Sequence, residues 1–408
     1  MLRAVGAKLG AFVARRASQA AGVAVAVLLS ACSGANNPLS DFLSSSQAPA
    51  PPAIPQQAQA IGTGQVRVGL ILPIGALGNA GQVGQSMRNA AELAITEFNN
   101  PDLQLLVKDD GGSPQGAQLA AQQAVDEGAV IVLGPLFAQS VQAAATVTRS
   151  RNIPMIAYST DSNVASRGVY LLSFLPETDV DRIVDYAVAQ GKRSYVALVP
   201  DNPYGGVVEA EFRQYVARKG GRVVAVERYS TDPARLQSVV QTIAQAAGSA
   251  DALFLPGEGD QVPAVARALA AGGVNLKRLQ LLGTSLWEDS RIFAEPTLAG
   301  GWYVAPDPNS ANNFRTFAAR YRQRYGQDPT RTATFAYDSV ALVAALVKTQ
   351  GPTGLTSQVL TNPSGFAGID GVFRFRADGT NQRGLAVLRV TPQGGTVISP
   401  APRSFSGS

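Results

Sequence analysis

Residues 66–99 read VRVGLILPIGALGNAGQVGQSMRNAAELAITEFN. The first seven, Val66–Leu72, are apolar and largely β-branched apart from Arg67 and Gly69. Such a run suits a strand buried on both faces of a parallel sheet. Pro73 ends it, because proline cannot donate to a sheet ladder. Ile74–Gly84 is a loop of glycine and small residues. Beyond it Met87, Ala91, Ala94, Ile95 and Phe98 fall on one stripe of a 3.6-residue helix. Strand, glycine loop and helix make half of a βαβ unit. The loop leaves the carboxyl end of the strand, the edge where open α/β sheets bind ligands.

The alternation continues outward from this unit. Leu103–Lys108, Ala129–Leu133, Pro154–Tyr158 and Val169–Phe174 read as strands, and Pro114–Glu127 and Ser140–Arg151 as helices. A second series alternates the helices Asp179–Gln190, Val207–Lys219, Ala234–Ala247 and Val262–Ala271 with the strands Ser194–Val199, Arg222–Tyr229, Ala252–Pro256, Arg278–Leu282 and Gly301–Ala305. Asp232-Pro233 has the cap-then-proline order of a helix start. Two long helices, Ala311–Tyr325 and Thr332–Thr349, return the chain. Gly371–Phe375 and Gly384–Val390 close it as antiparallel hairpin strands around Asp378-Gly379. Two such series imply an α/β fold of two doubly wound parallel-sheet lobes with an interlobe cleft.

The amino-terminal segment has a different composition. Arg3, Lys8, Arg15 and Arg16 precede the apolar run Ala20–Leu29, which has the length of a signal-peptide core. Leu29-Ser30-Ala31-Cys32 resembles a bacterial lipobox, and Cys32 is the only cysteine of the chain. We therefore expect a lipoprotein signal peptide over 1–31 and lipidation at Cys32, which anchors the protein to a membrane. Losing the four positive charges of 1–31 takes the formal charge from +5 to +1. Nothing basic then argues for nucleic acid. Residues 32–64, rich in Ser, Pro, Gln and Ala, read as a disordered tether. The folded part is expected over 65–400, with lobe 1 at 65–174 and 306–368 and lobe 2 at 175–305 and 369–400. The crossings between them are expected near Phe174–Thr178, Ala305–Asp307 and Gly368–Gly371.

Composition excludes several chemistries. The chain has no histidine, so there is no Ser-His-Asp triad, Cys-His pair or histidine-ligated metal. No P-loop motif is present, and Gly75, Gly78, Gly81 and Gly84 lack dinucleotide-loop spacing. Asp109-Asp110 suits an acid or metal pair, but we read it as a solvated turn and helix cap. No cofactor, metal or catalytic residue is expected, and no enzyme. Four loops at strand ends carry small polar groups instead: Ile74–Gly84, Gly134–Ser140, Ser159–Asn163 and Asp201–Gly206. Ser140 at a helix start suits a carboxylate or simply caps its helix. Ser159 and Thr160 suit an ammonium group or a turn. Tyr204 is a ring on an exposed loop, open to a ligand or packed on a neighbouring helix.

Over about residues 65–392 the chain resembles type I periplasmic solute-binding proteins of the leucine/isoleucine/valine kind. The resemblance is carried by the Val66–Asn99 opening, Gly134-Pro135-Leu136 with Ser140, Pro154-Met155-Ile156 before Ser159-Thr160, Asp201–Gly205, Tyr337-Asp338, and Gly371–Arg376 with Asp378-Gly379. It implies an amino acid held between the lobes for an ABC transporter permease. Ser140 would take the carboxylate, Ser159 and Thr160 the ammonium, and Tyr204 would close from the second lobe. Amino-acid binders of this kind often carry an acid after a later strand. Here Gly283-Thr284-Ser285-Leu286-Trp287 stands in its place, with Ser285 as the candidate ligand contact. An amide, a short peptide or a peptidoglycan fragment then becomes an alternative ligand. The chain also resembles the penicillin-binding protein activators, envelope lipoproteins that share this fold and act by contact with a penicillin-binding protein. Ser33 is not the aspartate associated with retention at the inner membrane, which points to the periplasmic side of the outer membrane.

Overall fold

The computed structural model describes residues 60–99, 101–230 and 232–405. Cys32, the leader and most of the expected tether lie outside the described residues. The first series runs β1 (Ala60–Ile61), β2 (Val66–Leu72), α1 (Asn79–Glu97), β3 (Leu103–Asp109), α2 (Pro114–Asp126), β4 (Ile131–Leu133), α3 (Ala138–Ser150), β5 (Met155–Ala157) and β6 (Val169–Leu171). The strands form one sheet in the order β1-β3-β2-β4-β5-β6, parallel except for the short edge strand β1. β2 pairs with β3 along its whole length, from Val66↔Leu103 to Leu72↔Asp109.

The second series runs α4 (Pro176–Ala189), β7 (Ser194–Pro200), α5 (Pro203–Arg218), β8 (Arg222–Tyr229), α6 (Pro233–Ala247), β9 (Ala252–Phe254), α7 (Val262–Ala271), β10 (Gln280–Leu282), α8 (Ser290–Phe293) and β11 (Trp302–Ala305). Asp232 caps α6 by accepting from Ala234 N, ahead of Pro233 at the first helical position. The return comprises α9 (Pro308–Tyr325), α10 (Ala333–Gln350), α11 (Ser357–Leu360), β12 (Phe366–Gly368), β13 (Gly371–Phe375) and β14 (Asn381–Arg383). β15 (Ala386–Thr391) and β16 (Gly394–Ser399) follow. The second sheet has the order β16-β15-β11-β10-β9-β7-β8.

Each sheet is covered on both faces, as parallel sheets require. In the first, Val68, Leu70 and Leu72 pack with Met87, Ala91, Ala94 and Ile95 of α1 and with Phe335 and Val343 of α10. Ile71 and Val132 face Ala117 and Ala121 of α2 and Val141 and Ala144 of α3. In the second, Val196 and Leu253 pack against α6 and α7, and Ala197 and Phe254 against α4 and α5.

Several sequence-based expectations are corrected. α1 begins at Asn79, not after Gly84. A Cβ on Gly84 would stand 2.7 Å from Pro73 C, so this glycine allows the first turns of α1 to lie on the end of β2. Phe98 ends that helix and is exposed instead of completing its buried stripe. The closing hairpin is divided: β13 pairs with β14, while β15 joins β11 and β16 in the second sheet. Phe373 and Phe375 of β13, expected in the second lobe, belong to the core of the first. The third passage between lobes therefore falls between Arg383 and Ala386. Asp110 is not solvated. It is 1% exposed, its carboxyl is raised by burial to about 6, and Ser113 caps α2 instead.

Candidate functional site

Parallel strands put their carboxyl ends on one edge, and ligands bind at the point where strand order reverses. In the first sheet the chain goes from β2 outward to β3 and then back to β4 on the other side of β2. In the second it goes from β7 to β8 and back to β9. The loops at these reversals follow β2 and β4 in one lobe, and β7 and β9 in the other. Ser140 and Tyr204 lie directly behind two of them.

After β4 the chain turns at Gly134, whose φ of +89° suits glycine; a Cβ there would also stand 2.0 Å from Ile71 O. Phe137 precedes α3 and supplies no side-chain cap. The first N–H groups of α3 therefore have no capping side chain, at the positive end of the helix dipole. Ser140 is the third residue of α3 and is 1% exposed. Its Oγ is buried with no hydrogen-bond partner in the protein. A buried hydroxyl of this kind is unfavourable until something bonds it.

Ser159 follows β5 and is more committed. Its Oγ accepts from Asp161 N at 3.1 Å, and its carbonyl accepts from Ser173 Oγ at 2.7 Å. Thr160 beside it is exposed. Ser162, two residues on, donates to Glu177 Oε1 at 2.5 Å.

Tyr204 is not on a loop. It lies in the first turn of α5, which starts at Pro203, and is half-buried. Asn202 caps that helix, its Oδ1 accepting from Gly205 N at 2.8 Å. The Tyr204 hydroxyl and Thr284 Oγ1 are 2.7 Å apart. The adjacent Ser285 donates twice to Asp179 Oδ2, from N at 2.9 Å and from Oγ at 2.6 Å. Asp179 stands in the first turn of α4 and is 9% exposed. Among the described residues no salt bridge reaches it. Burial pushes its carboxyl up to about 6, against the lowering effect of the two Ser285 bonds. Burial also raises the Tyr204 phenol, with the charges of Asp179 and Glu258 adding to the shift.

The structure thus joins Tyr204 and Ser285 through Thr284 and Asp179 on the second lobe, and places Ser140, Ser159 and Thr160 at the edge of the first. A buried acid does stand beside the Gly283–Trp287 segment, but it comes from α4. Sequence reasoning missed it because an acid at a helix start already has a local explanation in the dipole. Its bonds to Ser285 join positions 106 residues apart. No group of acids able to hold a metal is found among the described residues. No helix there is long and apolar enough to cross a membrane.

The sequence model of the periplasmic binding protein family matches residues 65–396. The chain belongs to that family. It is a family of binding proteins of extracytoplasmic type, with the two-lobed α/β fold described above. A putative branched-chain amino acid ABC transporter protein from Rhodospirillum rubrum superposes with a TM-score of 0.70 at 22% identity, covering 82% of this chain and 99% of that one. A substrate-binding protein from Desulfitobacterium hafniense in complex with Leu gives a TM-score of 0.56 at 20% identity, with the same coverages. At these identities the structures show the shared fold. Among curated proteins, the penicillin-binding protein activator LpoA of Edwardsiella piscicida is 29% identical over 142 residues, 35% of this chain. The chain spans only 20% of that protein's length.

Proposed function

We propose that this periplasmic binding protein is a receptor for a small zwitterion, an α-amino acid or a close relative, which it delivers to an ABC importer. The observation that carries the reading is the opposite polarity of the two edges. The first lobe offers a helix start without a side-chain cap and the free Ser140 hydroxyl to a carboxylate. The second offers the buried, cation-free Asp179, held by Ser285 and flanked by Tyr204, to an ammonium group. Ser159 and Thr160 would contribute at the rim. The leucine complex of the Desulfitobacterium hafniense relative supports the same class of ligand. Anchoring through a lipidated Cys32, on the periplasmic side of the envelope, belongs to this proposal. Metabolic labelling with a palmitate analogue checks it, with Cys32→Ala expected to lose the label.

A thermal-shift panel of amino acids, amides, short peptides and muropeptides tests the receptor. A ligand at a hundred times its dissociation constant raises stability by about 2.7 kcal/mol. We expect an amino acid to stabilise the protein and Tyr204→Ala to lose the effect. The partial match to LpoA favours one second reading, regulation of a penicillin-binding protein by contact. Silence across the panel, together with capture of such a synthase, would replace the receptor by that reading.

A further inference from the structure

Beyond the three passages between the lobes, the chain crosses once more after β16. That strand belongs to the second sheet, and its last residue, Ser399, is held there by Arg182 of α4. Arg182 donates from Nη2 to Ser399 Oγ at 2.7 Å and from Nε to Leu385 O at 2.9 Å. Ala401 still packs against the core of the second lobe. Four residues on, Phe405 is 5% exposed and sits against the first lobe. Its N donates to Ser364 O at 3.4 Å, and the Arg374 guanidinium lies 4.6 Å from the centroid of its ring.

The seat of Phe405 is built by the first lobe. Arg374 stands on β13 and is fixed from two sides, Nε donating to Gln382 Oε1 and Nη1 to Pro363 O, each at 2.9 Å. A guanidinium held over an aromatic face adds an attraction to the burial of the ring. A Cβ on Gly365 would stand 2.8 Å from Phe405 Cδ2, so the ring rests on bare backbone. The neighbouring Phe366 and Phe373 pack in the core of the first lobe. Between the two seats lie Pro402, Arg403 and Ser404, all exposed. From Ala401 to Phe405 is four residues, which reach at most about 14 Å fully extended. Pro400 and Pro402 have fixed φ angles, which removes part of the slack. The segment runs beside the third passage, where a Cβ on Gly384 would stand 3.2 Å from Pro402 O. With Asp307 of the second passage it encloses a notch of about 330 Å³.

We propose that Pro400–Phe405 is a hinge strap that limits how far the lobes rotate, with Phe405 as its anchor in the first lobe. Rotation about the other three passages changes the separation between the seats of Ala401 and Phe405. A strap this short and stiff has little length to give. Wide rotation therefore requires Phe405 to leave its seat, which exposes an apolar ring to water and breaks its contact with Arg374. The strap favours the relative position of the lobes in this structure. It does so whatever the cleft binds.

The test uses the ligand-free full chain with Cys32→Ser, carrying spin labels at Gln118→Cys on α2 and Gln245→Cys on α6, one on each lobe. Inserting a flexible glycine–serine linker between Pro402 and Arg403 lengthens the strap and leaves the seat of Phe405 intact. Phe405→Ala empties the seat instead. Both changes should broaden the interlobe distance distribution relative to the parent. The insertion should keep the thermal transition of the parent, because Phe405 stays packed, whereas Phe405→Ala should lower it. A parent-like distribution in the insertion variant would overturn the strap whatever Phe405→Ala does, since the ring would then serve only to pack the first lobe. A parent-like distribution in folded Phe405→Ala would overturn it equally, since Phe405 would not be the anchor.

Discussion

Two helix starts at the carboxyl edges of the sheets, α3 behind β4 in the first lobe and α5 behind β7 in the second, differ in how their positive ends are met. At α5 the Asn202 side chain bonds Gly205 N, so part of the positive end is already satisfied. In that turn the half-buried Tyr204 has its hydroxyl bonded to Thr284 and feels the charges of Asp179 and Glu258. At α3 the capping position is Phe137, which offers no acceptor, and Ser140 Oγ is unpaired. One βα design therefore yields a donor-rich edge and an acid-rich edge. The difference rests on which residue precedes the helix and on what the neighbouring helix brings in.

The strongest way to break this contrast is to remove the acid. Asp179→Asn keeps the shape of the side chain but loses a charge-assisted bond worth roughly 1.5–3 kcal/mol, so affinity for an amino acid should fall about ten- to a hundredfold by calorimetry. Unchanged affinity would mean that the second lobe does not receive the ammonium. Ser140→Ala attacks the other edge. It should weaken binding about tenfold, the effect of about 1.4 kcal/mol. It should not lower the stability of the unliganded protein, because the hydroxyl makes no bond there. A marked loss of unliganded stability would show that the hydroxyl is already bonded.

The pH dependence sharpens the same comparison. With the Asp179 carboxyl at about 6, roughly a tenth of it is ionised at pH 5. Amino-acid affinity should thus be about tenfold weaker at pH 5 than at pH 7.5, with a plateau above neutrality and no such slope in Asp179→Asn. The sign for stability is opposite. A carboxyl raised from 3.8 to about 6 in the folded state makes the unliganded protein lose stability as pH rises through that interval. A bound ammonium group should reduce that loss, and melting curves with and without ligand read the difference. The smallest effect is expected for Tyr204→Phe, which removes only the hydroxyl bonded to Thr284. About 1 kcal/mol or less separates it from the parent, measured as a few-fold change in affinity.

The alternation of strand and helix is written locally, and the sequence alone determined it. Val66–Leu72, the α1 stripe from Met87 to Ile95 and the Asp232-Pro233 helix start all carry their period or their cap within a few residues. The same kind of local pattern put a helix start near Ser140, although α3 begins two residues earlier, at Ala138. Only the tertiary structure decided the rest. Gly84 reads as loop by composition, yet it is a helical contact, because the need for a missing Cβ arises from Pro73 eleven residues away. β13 and β15 look alike in sequence, yet Phe373 and Phe375 of β13 pack in the core of the first lobe while β15 pairs with β11 of the second sheet. Asp179 looks like a helix start until Ser285 arrives beside it from β10. Periodicity constrains which face of an element is apolar. It carries no information about which polar groups, a hundred residues apart, the closed chain will set within hydrogen-bond distance of each other.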